Sequence, residues 1–245
     1  MNKRSIVFAI IIGFSIAVQA QEKVPVKFDL PKPSFTGTPK AVPRHVHLDP
    51  YPTHIPRPPI FVPAGCDKLL SRGCKVTSSD PDPIIGELHY VTDGEKQYDA
   101  ATYVEVGPGL QWIQIDLEEE KEIYAICIWH TGGGEVQRAY RDVICQISND
   151  PKFVDGVTTV FNNDFDNSAG MGKGKDKEYV ETHFGRPIAV EAVKGRYVRC
   201  YSRGNTWNEM NHYVEVEVFG RVIERKQQAE ADNAEIRRKK EKRGD

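Results

Sequence analysis

Two polar loops in the sequence carry side chains that could bind a sugar. Residues 129–142 read WHTGGGEVQRAYRD, and residues 203–213 read RGNTWNEMNHY. Sugar recognition needs an aromatic face for the apolar side of the pyranose ring and planar hydrogen-bonding groups for its hydroxyls. The loops supply both kinds of group, and the candidate ligand-binding residues are His130, Arg138, Tyr140, Arg141, Asn205, Trp207, Asn208 and His212.

Trp207 is the strongest single candidate because it stands in a polar loop, outside any strand pattern. A structural alternative makes Trp207 the plug of a loop that packs back onto the domain. His130 ends a predicted strand, so capping that strand is the alternative to ligand binding. Arg141 has an alternative too, an ion pair with Asp142 or another internal partner.

Catalysis needs a converging set of groups, such as a nucleophile with its base or an open metal site. The sequence holds no Gly-x-Ser-x-Gly, no His-Glu-x-x-His and no catalytic-cysteine signature. The glycine- and lysine-rich stretch 161–179 lacks the spacing of a phosphate-binding loop and is interpreted as a long hairpin. We therefore expect a protein without enzymatic activity.

The elements that must position these loops are short strands. Between residues 66 and 222, β-branched and aromatic runs alternate with clusters of Gly, Asn, Asp and Pro, which is typical of an all-β sandwich or barrel. The last run, NHYVEVEVFG at 211–220, alternates with period two. This pattern predicts that Val214, Val216 and Val218 face the core, while Glu215 and Glu217 face solvent, a partner or a cation.

The first twenty residues predict export. The chain has 245 residues and a formal net charge of −2, which gives no global bias toward nucleic acid or anionic membranes. Residues 1–20 read as a signal peptide cleaved after Ala20, with an uncleaved anchor as the alternative. The mature protein is expected to be secreted or to lie in the periplasm or cell envelope, without inserting into a membrane.

Two polar segments flank the predicted domain at 64–222. Residues 21–63 are rich in proline and predict an extended, solvated linker; its histidines, His45, His47 and His54, offer a metal-binding tract as the alternative. Residues 223–245 form a polar basic tail that we expect to be helical or disordered, with docking to an anionic surface as the alternative.

An exported chain could form disulfides, but five cysteines leave at least one unpaired. Cys127, Cys145 and Cys200 lie inside apolar runs, which favours small buried hydrophobes. Cys66 and Cys74 flank the start of the domain and could pair. The sequence leaves the pairing open.

The order of these runs resembles the coagulation factor 5/8 type C domain, also called the discoidin or galactose-binding-like domain, in an exported bacterial form. The resemblance covers about 155 residues and rests on an ordered set: CDKLLSRGCKVTSSD, VTDGEKQY, WIQIDL, DVICQISNDP, GRYVRC and NHYVEVEVFG. Family 32 carbohydrate-binding modules share that fold. The resemblance implies a jelly-roll β-sandwich that binds ligands through loops at one end.

The resemblance also implies a structural Ca²⁺ near the Asp-Gly turn. Carried over, its ligands are the carboxylates of Asp93 and Glu215 with backbone carbonyls around Tyr90, Glu95 and Val214. The sequence departs from the family spacing after Gly94, where EKQYDAATY replaces a shorter turn. The alternative is an Asp-Gly turn that holds no ion.

These features leave three candidate functions. The first is a module that binds a polysaccharide or cell-surface glycan. The second is a protein-interaction or adhesion module, and the third is a structural accessory of the cell envelope. A concave cluster of aromatic, Arg and Asn side chains would favour the first function, and a broad apolar patch would favour the second.

Overall fold

The apolar runs fold into ten strands and one short 3-10 helix, Leu88–Thr92, in the part of the chain that the structure describes. The structure is a computed structural model, and it describes residues 22–33, 35–45, 47–97, 102–132 and 134–223. The signal peptide at 1–20 and residues 224–245 of the tail lie outside these residues. The strands are β1 (Lys23–Pro25), β2 (Phe61–Pro63), β3 (Lys68–Leu69), β4 (Lys75–Ser78), β5 (Val104–Val106), β6 (Gln111–His130), β7 (Ile144–Ser148), β8 (Thr158–Asn162), β9 (Arg186–Ser202) and β10 (Asn211–Val222).

Two long strands, β6 and β9, run through both layers of a sandwich. The first half of β6 pairs with β4 and with the second half of β9, which continues to β7 and β8. The second half of β6 pairs with β10 and with the first half of β9, and β10 carries β3 and β5 on its other edge. All of these pairings are antiparallel, so the predicted all-β class is confirmed, and the arrangement is a β-sandwich.

The core lies between the two layers and is built from inward-facing side chains of almost every strand. Ile113, Ile115, Ile126 and Val198 are fully buried there. Fully burying an aliphatic side chain of this size contributes about 1.5–3 kcal/mol, so these positions hold the layers together. Within the described residues, no helix has the length and apolar character needed to cross a bilayer.

The alternation predicted for β10 fails at Val214. A register shift between Tyr213 and Glu215 marks a β-bulge, and an extra residue in a strand reverses the side to which the following side chains point. Val216 and Val218 join the main core as predicted, whereas Val214 packs in a separate cluster with Cys127 and Trp129. The prediction that all three valines share one face was therefore wrong for Val214.

The proline-rich segment is extended, but it is not the solvated linker that its composition predicted. Its two ends pair as the antiparallel ribbon β1–β2, and Val26 and Val62 are buried. Phe28 packs edge-on against Trp129 and Phe219, with ring centroids 6.3 and 5.3 Å apart. Prolines prevent a continuous strand ladder, but they do not prevent apolar side chains between them from packing. We call residues 22–63 the arm.

The histidines of the arm lie apart, with different surroundings. His45 contacts Glu178 at 3.0 Å, His47 stacks on Phe165 at 3.6 Å, and His54 is exposed. Two of them therefore help to fix the arm to the loop between β8 and β9, and the three do not converge on one point.

All five cysteines have free thiols. Cys127, Cys145 and Cys200 are buried, as the apolar runs predicted, and Cys66 packs in the apolar cluster beneath the arm. Cys145 and Cys200 are opposite one another on β7 and β9, with their sulfurs 3.8 Å apart.

Candidate functional site

Loops from three parts of the chain meet around one cavity of about 500 Å³. The loop after β6, the loop between β9 and β10, and the residue before β5 contribute to its wall. A β-bridge between Tyr140 and Asn205 joins the two long loops, and the backbone N–H of Thr206 donates to the carbonyl of Ala139 over 2.9 Å. The cavity is lined by Tyr103, Thr131, Gly132, Gly134, Val136, Arg138 and Trp207.

Trp207 presents its ring to solvent at this cavity, with 62% of the side chain exposed. Its loop is held from below by Asn205, which is 1% exposed. Asn205 Oδ1 accepts from the backbone N–H groups of Trp207 and Asn208, at 2.8 and 3.1 Å. Asn205 Nδ2 donates to Asn208 Oδ1 and to the Met210 carbonyl, at 2.7 and 3.0 Å. The exposed ring is thus carried by a loop whose backbone is fixed by hydrogen bonds.

Arg138 supplies the cation of the cavity. Its Nη1 donates to the Thr131 hydroxyl over 3.0 Å, and the side chain is half-buried. The loop can approach so closely because residue 132 is glycine. Gly132 has φ +155°, and a Cβ placed there would lie 2.8 Å from the Cβ of Glu181. A larger residue at this position would displace the cavity wall.

A chain of buried polar groups supports the cavity from inside. The hydroxyl of Tyr140 contacts Thr131 Oγ1 at 3.0 Å and His212 Nδ1 at 2.8 Å, and His212 Nε2 contacts Glu105 at 2.8 Å. Burial, with the nearby Arg138 charge, lowers the pKa of His212 to about 3. The carboxylate of Glu105 alone would raise the pKa of His212, but the opposite effect of burial is larger. A neutral imidazole that donates from Nε2 to Glu105 and accepts at Nδ1 from Tyr140 satisfies both contacts.

His130 belongs to a second buried pair. Its Nδ1 lies 2.6 Å from Glu181 Oε1, both side chains are fully buried, and the His130 ring stacks on Tyr140 with centroids 4.3 Å apart. Burial raises the pKa of Glu181 despite the neighbouring His130. The pair fixes the end of β6 beneath the cavity.

The structure therefore places the eight candidate residues at different depths relative to the cavity. Trp207 and Arg138 line the cavity, and Asn208 is half-buried in the Trp207 loop. Four of the others are buried and lie behind the wall instead of presenting their side chains to a ligand: His130, Tyr140, Asn205 and His212. Each of them finds a polar partner there, which offsets part of the cost of burying a polar group, although His130 Nε2 has no partner among the described residues.

Arg141 is exposed and is not among the residues that line the cavity. Its alternative role, an ion pair with Asp142, is also not what the structure shows. Asp142 Oδ2 instead accepts from Arg203 Nε over 2.6 Å and from the Ser168 hydroxyl over 2.8 Å.

Sequence reasoning missed Tyr103 and Thr131. Tyr103 directly precedes β5, and Thr131 directly follows β6, so both read as ends of strands in the sequence. Only the pairing of the strands could have indicated these two residues. β5 and β6 both pair with the N-terminal part of β10, which follows the Trp207 loop, so the residues at these strand ends must meet that loop.

The turn expected to hold calcium lies against the last strand. The backbone N–H of Gly94 donates to Glu215 Oε2 over 3.0 Å, and Asp93 Oδ1 accepts from the N–H of Glu95 over 2.8 Å. Glu215 is fully buried, and its Oε1 has no hydrogen-bond partner among the described residues. Burial raises the pKa of Glu215 to about 8.

Two cations lie near this turn. Arg72 donates to the Asp93 carbonyl over 2.6 Å. Lys96 is 3% exposed and contacts Glu217 Oε1 at 2.7 Å and the Asp29 carbonyl at 2.8 Å. The outer face of β10 thus meets a cation, one of the three environments predicted for its glutamates, but the arm and the turn bury that contact.

Fold and site together define a β-sandwich protein with an aromatic, cationic cavity at its loops. Comparison with protein-family models and with curated protein sequences gives no match. Among solved structures, the chain is similar to the family 32 carbohydrate-binding module of AlyQ, solved in complex with 4,5-unsaturated mannuronic acid. The identity is 18%, the TM-score is 0.43, and the match covers 59% of this chain and 93% of that one.

Two further solved structures are similar at the same level. One is chitosan-binding module 1 from a chitosanase/glucanase of Paenibacillus sp. IK-5, with 20% identity, a TM-score of 0.46 and coverage of 62% and 99%. The other is a family 32 module from Clostridium perfringens, solved in complex with GalNAc-β-1,3-galactose, with 15% identity, a TM-score of 0.44 and coverage of 62% and 100%. Family 32 modules have the fold that the sequence resemblance implied.

Proposed function

We propose that this protein is a non-catalytic module that binds carbohydrate through the cavity at Trp207. The observation that carries the proposal is a tryptophan ring with 62% exposure on the wall of a cavity of about 500 Å³, beside Tyr103 and Arg138. Exposing a ring of this size to water is unfavourable, and the apolar face of a pyranose would cover it. Arg138 and the Thr131 hydroxyl supply hydrogen-bonding groups at the same wall.

The predicted signal peptide at residues 1–20 would export the module, so its glycan would be a polysaccharide or a glycan of a cell surface. The test is a glycan array with purified protein that lacks residues 1–20. Binding to a defined sugar is expected, together with its loss in Trp207→Ala.

The matched control is Phe61→Ala, which removes an aromatic ring of similar exposure, 56%, from β2 of the arm. Binding that survives Trp207→Ala would refute the assignment of the site. An array without any binding by the folded protein would favour the protein-interaction alternative.

We also propose that the turn at Asp93 holds a structural Ca²⁺ against β10. Three features support the fit: the buried Glu215 Oε1 without a partner, the contact of Glu215 with the turn at Gly94, and the bulge at Val214, a residue without a partner in the strand register. Calcium prefers such mixtures of carboxylates and loop carbonyls. Asp93, Glu215 and the backbone around Tyr90, Glu95 and Val214 would supply its oxygen ligands.

A further inference from the structure

The described wall of the Trp207 cavity carries a single formal charge. Among the seven lining residues that the structure describes, Arg138 is the only group that is charged at neutral pH, and none is an acid. A ligand in this cavity therefore meets a positive wall.

Several other arginines have a carboxylate partner, although Arg72 and Arg199 donate to neutral oxygens. Arg196 pairs with Asp116, Arg203 with Asp142, and Arg221 with Glu122. Arg138 differs, because its one side-chain hydrogen bond in the described part of the chain goes to the neutral hydroxyl of Thr131. A half-buried guanidinium without an anion retains a desolvation cost that an anionic ligand would offset.

Two acids close to the cavity are already engaged with histidines, and Glu135, which stands between two lining residues, pairs with Lys40 at 2.5 Å. Glu181 contacts His130 at 2.6 Å, and Glu105 contacts His212 at 2.8 Å. Neither forms an ion pair with Arg138 among the described residues. The described carboxylates thus leave Arg138 without an ion pair, and its guanidinium, which is part of the cavity wall, has the planar shape that can bind an anion through two parallel hydrogen bonds.

We propose that the cavity selects an anionic saccharide, whose carboxylate or sulfate group pairs with Arg138 while its ring lies on Trp207. This inference rests on the proposed carbohydrate-binding function and narrows its ligand class. Neutral glycans of the same backbone bind more weakly, because they leave the guanidinium without an anion.

The experiment is isothermal titration of the protein with matched pairs of oligosaccharides. An oligogalacturonate is compared with its carboxyl-reduced form, and a sulfated galactan oligosaccharide with its desulfated form. The acidic member of at least one pair is expected to bind ten-fold or more tightly than its neutral counterpart. Added salt should weaken the acidic ligand more than the neutral one, because ions screen charge pairs.

Three variants locate the selectivity. Arg138→Gln is expected to remove the preference for the acidic ligand, and Arg138→Lys, which keeps a cation, to retain part of it. The control is Arg221→Gln, because Arg221 lies near the opposite end of β10 from the cavity and should leave the preference unchanged. Thermal unfolding of each variant checks the fold. If Arg138→Gln is unstable, the binding of Arg138→Lys and the salt dependence decide whether Arg138 sets the preference.

The outcomes separate this inference from the function beneath it. Binding that depends on Trp207 but shows no preference for the acidic ligand would overturn the inference and leave the carbohydrate-binding proposal standing. A preference that persists in Arg138→Gln would overturn it too. Failure of all four ligands to bind the folded protein would count against both proposals.

Discussion

The phenolic hydroxyl of Tyr140 lies 2.8 Å from Nδ1 of His212 and 3.2 Å from the carbonyl oxygen of Thr131. Burial lowers the pKa of His212 to about 3, so the imidazole is neutral at pH 7 and can accept at Nδ1 from this hydroxyl. An unfolded chain takes up this proton near pH 6.5, whereas the folded protein does so only near pH 3, so stability is lost as pH falls between these values.

His212→Gln should therefore change how stability depends on pH. The advantage of wild type over the variant should be constant above pH ~6.5 and decrease below it, by about 1.4 kcal/mol per pH unit at most. Chemical denaturation at several pH values measures this difference. His54→Gln, at an exposed histidine, is the control, and an advantage that grows on acidification would contradict the assignment.

Asn205→Ala should weaken both the fold and the site. The side chain makes four hydrogen bonds within the loop that carries Trp207, and each contributes ~0.5–1.5 kcal/mol, so a loss of about 2–6 kcal/mol is expected. Glycan affinity should fall as well, because the Trp207 ring loses its fixed position.

Trp207→Ala is the comparison. It should remove binding while changing the free energy of unfolding by less than ~0.5 kcal/mol, since the ring is largely exposed.

Lys96→Met should be strongly destabilising because it leaves Glu217 buried without a cation. Removing one partner of a buried pair costs about 3–5 kcal/mol. The double variant, Lys96→Met with Glu217→Leu, removes both charges and should recover much of the lost stability. Urea denaturation of the two single variants and the double variant closes a thermodynamic cycle. Additive effects would show that the contact at 2.7 Å contributes no coupling.

Phe28→Ala tests whether the arm is part of the folded domain. A half-buried phenylalanine between two aromatic rings should cost roughly 1.5–3 kcal/mol when truncated. Leu30→Ala, two residues along and 43% exposed, should cost under about 1 kcal/mol. Equal, near-zero effects of both substitutions on thermal unfolding would mean that the arm is a free linker after all.

Calcium should stabilise the protein through Glu215. At free Ca²⁺ ~100 times its dissociation constant, the gain is about 2.7 kcal/mol, observed as a higher melting temperature that a chelator reverses. Glu215→Gln should abolish this gain, whereas Glu209→Gln, at an exposed acid, should preserve it. If Ca²⁺ raises the melting temperature of Glu215→Gln as much as that of the wild type, the ion binds elsewhere.

The strands were readable from the sequence because β-branched runs and turn residues act locally. The alternation of β10 predicted the burial of Val216 and Val218 correctly. It failed at Val214, since one extra residue in a strand leaves no mark in the pattern of residue types. The packing of the arm was also missed, because proline content reports on backbone hydrogen bonding and not on where Val26 and Phe28 find apolar partners.

The candidate site was predictable in part. Trp207 stood out because a tryptophan in a polar loop needs an explanation, and the structure places it on a cavity wall. His130 and His212 seemed equally suited to a ligand, yet each is turned inward by an acid from a distant part of the chain, Glu181 or Glu105. Such long-range pairs depend on how the loops meet in three dimensions, which residue types alone do not specify.

The ribbon β1–β2 gives the arm a mechanical property. Lys23 lies opposite Pro63, so a pull on the chain ahead of Lys23, resisted by the sandwich, enters and leaves the ribbon at the same end. Under such a load the hydrogen bonds of the ribbon break one after another and not all at once. Tension would thus peel away β1 and then the Phe28 anchor. Only afterwards would it reach Lys40, whose N–H donates to the Glu135 carbonyl over 2.8 Å beside the cavity wall. The contact of the arm with the cavity wall at Glu135 is therefore the last of these contacts that a load on Lys23 would reach.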